Sequence, residues 1–176
     1  HMSEREEERM LQEIPLPEQK ECKKAAERAM KLLLQQDRTR KELQDRLYRA
    51  GFSERAAEYA LAYVSRYGYI DDFRYASRYI SFQKDKRSRK ELRYKLLDKG
   101  VDSEVIAAAF EQYGPEDEYG AIRRLLQKRL KGAKLIETDM ETKNKIIAFF
   151  ARKGYALSSV KRVMKEWGET ESNGSL

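Results

Sequence analysis

A Thr or Ser followed four positions later by an aliphatic residue, four further on by a second large apolar residue, and then by Gly recurs three times in this chain. Thr39, Leu43, Leu47 and Gly51 make the first copy; Ser88, Leu92, Leu96 and Gly100 the second; Thr142, Ile146, Phe150 and Gly154 the third. Apolar positions spaced by four place one stripe on one helix face. A Thr or Ser hydroxyl accepts the orphan N–H groups of a first turn, and Glu42 and Glu91 stand three residues on, where a capping box needs a carboxylate. Lys145 takes that place in the third copy, which predicts a weaker cap. Gly supplies the left-handed residue that ends a helix. Each copy therefore spells one short amphipathic helix with both ends marked. Such a helix cannot bury its stripe alone, and the copies recur after 49 residues (Gly51 to Gly100) and then 54 (Gly100 to Gly154). The pattern predicts a repeat architecture.

Further stripes flank each copy. Ala25, Ala26, Ala29, Met30, Leu33 and Leu34 precede the first, and Ala57, Ala60, Leu61 and Val64 follow it. Ala76, Tyr79, Ile80 and Phe82 precede the second, with Val105, Ile106, Ala109 and Phe110 after it. Ile122, Leu125 and Leu126 precede the third, across a longer connector from Lys131 to Glu141, and Val160, Val163, Met164 and Trp167 follow. Nothing alternates with period two over a strand's length. The expected fold is all-α: a tandem repeat of three small three-helix bundles forming an elongated, curved array, with repeats at 18–70, 71–115 and 116–168. Residues 1–17 read as a tag remnant (His1, Met2) and a flexible acidic leader, broken from the body by Pro15 and Pro17, and 169–176 as a flexible tail.

Composition narrows the chemistry. Cys22 is the single cysteine, so no intrachain disulfide can form. With His1 assigned to the tag, the natural chain has no histidine, which excludes a histidine triad, a Cys/His zinc site and an imidazole base. No Gly-rich phosphate loop, apolar membrane span or signal-peptide core is present. A soluble cytoplasmic protein without cofactor or metal is the expectation. The adjacent Asp71 and Asp72 could suggest Mg²⁺, but neighbours in sequence rarely converge on one ion, and an Asp at a helix start is ordinary capping.

The formal net charge is +7 and unevenly placed. Lys84 to Lys99 holds eight basic residues against three acidic, and Arg123 to Lys134 six against none. Arg87, Arg89, Lys90 and Arg93 open the second capped helix, where cations oppose the helix dipole, so a functional reason for them is implied. Arg123, Arg124, Lys128, Arg129 and Lys131 form a second candidate surface. A polyanion or an acidic protein surface fits both. Tyr75, Tyr79 and Tyr94 lie beside basic groups and could stack bases, although a tyrosine equally buries its ring and keeps its hydroxyl wet.

Gly68-Tyr69-Ile70-Asp71-Asp72, then Tyr75-Ala76, Glu91-Leu92 and Leu96 to Val101, resemble the central block of the bacterial RecX regulatory proteins, and the three-unit layout matches over residues 18 to 168. Lys86-Arg87 stands where members often carry Gly. The resemblance implies a non-enzymatic, monomeric regulator that binds in the groove of the RecA recombinase filament and contacts single- or double-stranded DNA. It further implies that the protein modulates, in the direction of inhibition, recombination and ATP hydrolysis in DNA repair and the SOS response. The residues by themselves also admit a helix-turn-helix-like protein acting directly on DNA, although no second helix concentrates the Arg, Asn and Gln that read base edges. A metal-dependent enzyme built on Asp71 and Asp72 lacks further facing carboxylates.

Overall fold

The computed structural model describes residues 3–174, and every regular element among them is helical. Ten α-helices follow in order: α1 (Glu4–Gln12), α2 (Leu16–Gln35), α3 (Arg40–Arg49), α4 (Glu54–Arg66), α5 (Asp72–Gln83), α6 (Arg89–Asp98), α7 (Ser103–Ala109), α8 (Pro115–Leu130), α9 (Met140–Lys153) and α10 (Leu157–Asn173). Single 3₁₀ turns cover Phe110–Gln112 and Leu135–Glu137. The three expected capped helices are α3, α6 and α9. Their first stripe positions, Leu43, Leu92 and Ile146, are all buried, as are Leu47, Leu96 and Phe150. Gly51, Gly100 and Gly154 close them with positive φ.

The chain divides into two packed units. The first holds residues up to Ala76 together with Leu97–Ile106, and the second Ser77–Leu96 together with residues from Ala107 on. The boundary falls inside α5, α6 and α7. In the first unit α2 packs on α3 and α4 around Ala25, Ala29, Leu43, Leu47, Leu61 and Val64. The alanines of α2 and α4 let these helices approach closely. In the second unit α8, α9 and α10 meet around Ile122, Leu126, Ile146, Phe150, Val160 and Val163.

Both chain ends depart from expectation. The acidic leader forms α1, started by a capping box between Ser3 and Glu6. Met10, Leu11 and Ile14 pack it on the first core, and the Tyr67 hydroxyl donates to Glu7. Helix α10 continues past Gly168 because the Glu171 carboxylate accepts the backbone N–H groups of Leu135 (2.8 Å) and Ile136 (3.1 Å). His1, Met2 and the last two residues lie outside the described ones.

The third cap is also moved. Helix α9 begins at Asp139, whose Oδ1 accepts the Thr142 N–H at 2.7 Å, one turn ahead of the repeat register. Lys145 cannot return the second bond of a capping box to Thr142, and a carboxylate is the stronger acceptor. The Thr142 hydroxyl, and after it the Thr142 N–H, hold the exposed Asp139 carboxyl below its usual range.

The first two caps do more than start helices. Thr39 is fully buried; its Oγ1 accepts the Glu42 N–H (3.1 Å) and donates to the Lys99 carbonyl (2.6 Å). In the second unit Ser88, equally buried, accepts the Glu91 N–H (3.0 Å) and donates to the Lys153 carbonyl (2.7 Å). Lys99 and Lys153 immediately precede Gly100 and Gly154. A Cβ on Gly100 would stand 2.4 Å from Lys41 Cβ, and one on Gly154 2.7 Å from Ser88 Oγ. The start of α3 thus meets the end of α6, and the start of α6 meets the end of α9. Each joint sets a helix's positive end against a negative one.

Candidate functional site

All nine cations singled out from the sequence belong to the second unit. Arg87 is tied down: Nη1 donates to Glu91 (2.6 Å) and Nε to Gln83 (3.3 Å). It occupies the position of Arg38 in the first copy, whose Nε donates to the Leu32 carbonyl at the end of α2. Both arginines secure the turn into the capped helix. Arg89 lies over the Phe110 ring, 4.9 Å from its centroid, and near Tyr113 at 5.8 Å. The stem of Lys90 runs beside Gly154. Arg93 stands exposed, and neither Lys90 nor Arg93 has an ion-pair partner among the described residues.

On α8, Arg124 pairs with Asp85 (2.9 Å) and Arg123 stands 4.0 Å from Glu116. These groups are all about half exposed or more, where an ion pair contributes less than about 1 kcal/mol. Lys128 and Lys131 are exposed without a described partner. Lys131 ends α8 in the left-handed region, at φ 50, which turns the chain into the connector. Arg129 lies over Phe149, 4.3 Å from the ring centroid, and Lys153 approaches the same ring at 5.4 Å.

The structure therefore separates the candidates. Lys128, Arg129 and Lys131 come together with Lys145, Phe149 and Lys153 of α9 around a depression of about 660 Å³. Arg123 lines another, of about 610 Å³, beside Trp167, Glu166 and Glu171. Sequence reasoning missed Lys145, Phe149 and Lys153, although their spacing at i, i+4 and i+8 puts them on one face of α9. Of the three tyrosines, Tyr75 and Tyr79 are half-buried and Tyr94 is 70% exposed.

Asp71 and Asp72 both cap, but different helices. Asp71 Oδ1 accepts the Arg74 N–H (3.0 Å) at the start of α5, whereas Asp72 Oδ1 accepts the Arg40 N–H (2.9 Å) at the start of α3. Burial pushes the Asp72 carboxyl up, and the Arg40 N–H opposes that. Among the described residues no group of three or more acidic, cysteine or histidine side chains is placed to hold a metal ion. No described helix is long and apolar enough to cross a membrane. The Tyr113 and Tyr155 hydroxyls are buried without a hydrogen-bond partner among the described residues. Burial raises both, Tyr113 to about 12, so neither ionises near neutral pH.

Residues 25–63 and again 73–112 match the family model for the first three-helix domain of RecX, and residues 116–164 the model for its third three-helix domain. The regulatory protein RecX of Amycolatopsis mediterranei is 34% identical over 160 residues, covering 87% of this chain and 90% of that one. That of Clostridium botulinum strain Eklund 17B is 29% identical over 144 residues, covering 81% and 68%. The crystal structure of RecX from Lactobacillus salivarius shares the fold, with a TM-score of 0.76 at 22% identity over 84% of this chain and 97% of that one. An all-helical chain whose first two helix triplets answer to one domain model, and whose last answers to another, belongs to the RecX family of regulatory proteins.

Proposed function

We propose that this protein is a non-enzymatic regulator that docks on the RecA recombinase filament and on DNA, and restrains recombination and ATP hydrolysis. Family membership supports the regulatory role. The observation that carries the contact is the pair of basic runs around α6 and α8, eight cations against three acids and six against none, within which Lys90, Arg93, Lys128 and Lys131 have no ion-pair partner among the described residues. Solvated helices usually pair or disperse such charges, and a clustered excess raises the local concentration of a polyanion or an acidic surface. Arg89, Arg123, Arg124 and Arg129 extend the surface, because ring contacts and exposed ion pairs leave their charge accessible. Arg87 contributes as the residue that fixes the start of α6.

Co-sedimentation tests this reading. RecA assembled on single-stranded DNA with a non-hydrolysed nucleotide should carry the protein into the pellet, and RecA-dependent ATP hydrolysis should slow. Arg89→Ala with Arg93→Ala should weaken both while helix content is retained. Absence of the wild-type protein from the pellet, with tight binding to naked duplex DNA, would favour a protein acting directly on DNA instead.

A further inference from the structure

The depression around Phe149 has a composition that the filament reading leaves unused. Its floor is apolar, formed by Leu125, Leu130 and Ile146, and its rim carries Lys128, Arg129, Lys131, Lys145 and Lys153 with no acidic side chain. Lys145 has Glu141 at 3.6 Å, but both are at least 70% exposed, so that pair yields readily to a stronger anion. The Arg129 guanidinium already lies over the Phe149 ring while remaining exposed. Both an arginine guanidinium and an aromatic ring are surfaces on which an unstacked base can stack.

We infer that this depression seats single-stranded nucleic acid, with backbone phosphates on the lysine rim and an unstacked base against Arg129 and Phe149. The inference deepens the function proposed above, since it rests on the chain touching DNA. The shape argues for this occupant. A duplex keeps its bases stacked inside and presents phosphates on a convex surface, so the apolar floor would meet nothing. The walls are the end of α8, the face of α9 from Thr142 to Lys153 and the connector residues Ala133 and Thr138. About 660 Å³ falls within the range of clefts that take small ligands.

The test uses the full chain and a labelled oligothymidylate, followed by fluorescence anisotropy over a salt series. Lys128→Gln with Lys145→Gln, both at exposed positions, should lower the log–log salt slope by about 1.4, at about 0.7 per lost single-strand contact. Arg129→Lys keeps the charge and loses the plane. It should retain the slope while abolishing the preference for oligothymidylate over an abasic strand of equal length. An unchanged slope in the double lysine variant overturns the inference, and so does a wild type without preference over the abasic strand. Loss of RecA co-sedimentation with unaltered oligonucleotide binding overturns it too, because the occupant is then an acidic protein surface. Wild-type protein that binds the oligonucleotide as expected but ignores RecA filaments removes the filament reading and leaves this site standing.

Discussion

The first and second capped helices share a cap, a stripe, a terminal glycine and an arginine that secures the turn before them, yet the cations just after the cap differ. In the first, Arg38 is buried against the Leu32 carbonyl, Arg40 Nη1 donates to Ser65 and Lys41 pairs with Asp45. In the second, Lys90 and Arg93 extend unpaired, and Gln44 stands in the first copy where Arg93 stands in the second. The joint at the start of each helix is common to both units: a buried hydroxyl donates to a carbonyl that precedes a close-packed glycine. Packing thus constrains the buried side of the unit, and the exposed side is free to carry a charge pattern that differs between copies.

The strongest way to break this comparison is through the stripes. Leu43→Ala and Leu92→Ala should each cost about 2 to 5 kcal/mol in urea unfolding, because both leucines are fully buried. A loss near zero at either would remove it from the core.

The glycines separate a joint from an open end. Gly51→Ala meets nothing within 4 Å and should cost only the left-handed strain, about 1 to 2 kcal/mol. Gly100→Ala pays the same strain and drives a Cβ into Lys41 Cβ, adding about 1 to 3 kcal/mol of overpacking. Equal losses in thermal unfolding would show that the approach at Gly100 is loose.

Ser88→Ala removes a cap and leaves the Lys153 carbonyl without its donor, for an expected loss of about 1 to 3 kcal/mol. Thr39→Val should fall in the same range if the two joints are equivalent. Thr142→Ala should change little, because its side chain is exposed and Asp139 supplies the cap.

The smallest effect concerns pH. The Asp139 carboxyl is held low by Thr142, so the stability it contributes is present above the unfolded carboxylate range and fades as pH falls through its lower folded value. Asp139→Asn caps comparably at neutral pH and does not titrate. The gap between wild type and this variant in denaturation midpoint should therefore shift only in the acid range. A gap that shifts between pH 6 and 8 instead, where no carboxylate of this kind titrates, would point to a different group.

Residues three and four apart were enough to read Thr39, Glu42 and Gly51 as one helix with marked ends, because capping bonds and stripes depend on local spacing alone. The same logic misplaced the start of α9. Asp139 and Thr142 are rival caps one turn apart, and the missing carboxylate at Lys145 decided between them. The long-range features had no such local signature. Thr39 reaches a carbonyl 60 residues away and Ser88 one 65 residues away. Lys128 and Lys131 share a depression with Lys153 only because the end of α8 lies beside α9. Clustered charge was visible in the chain, but charges divide into paired and unpaired only after packing has chosen their neighbours. That choice sums many weak contacts over whole helix faces, and no short stretch of sequence contains it.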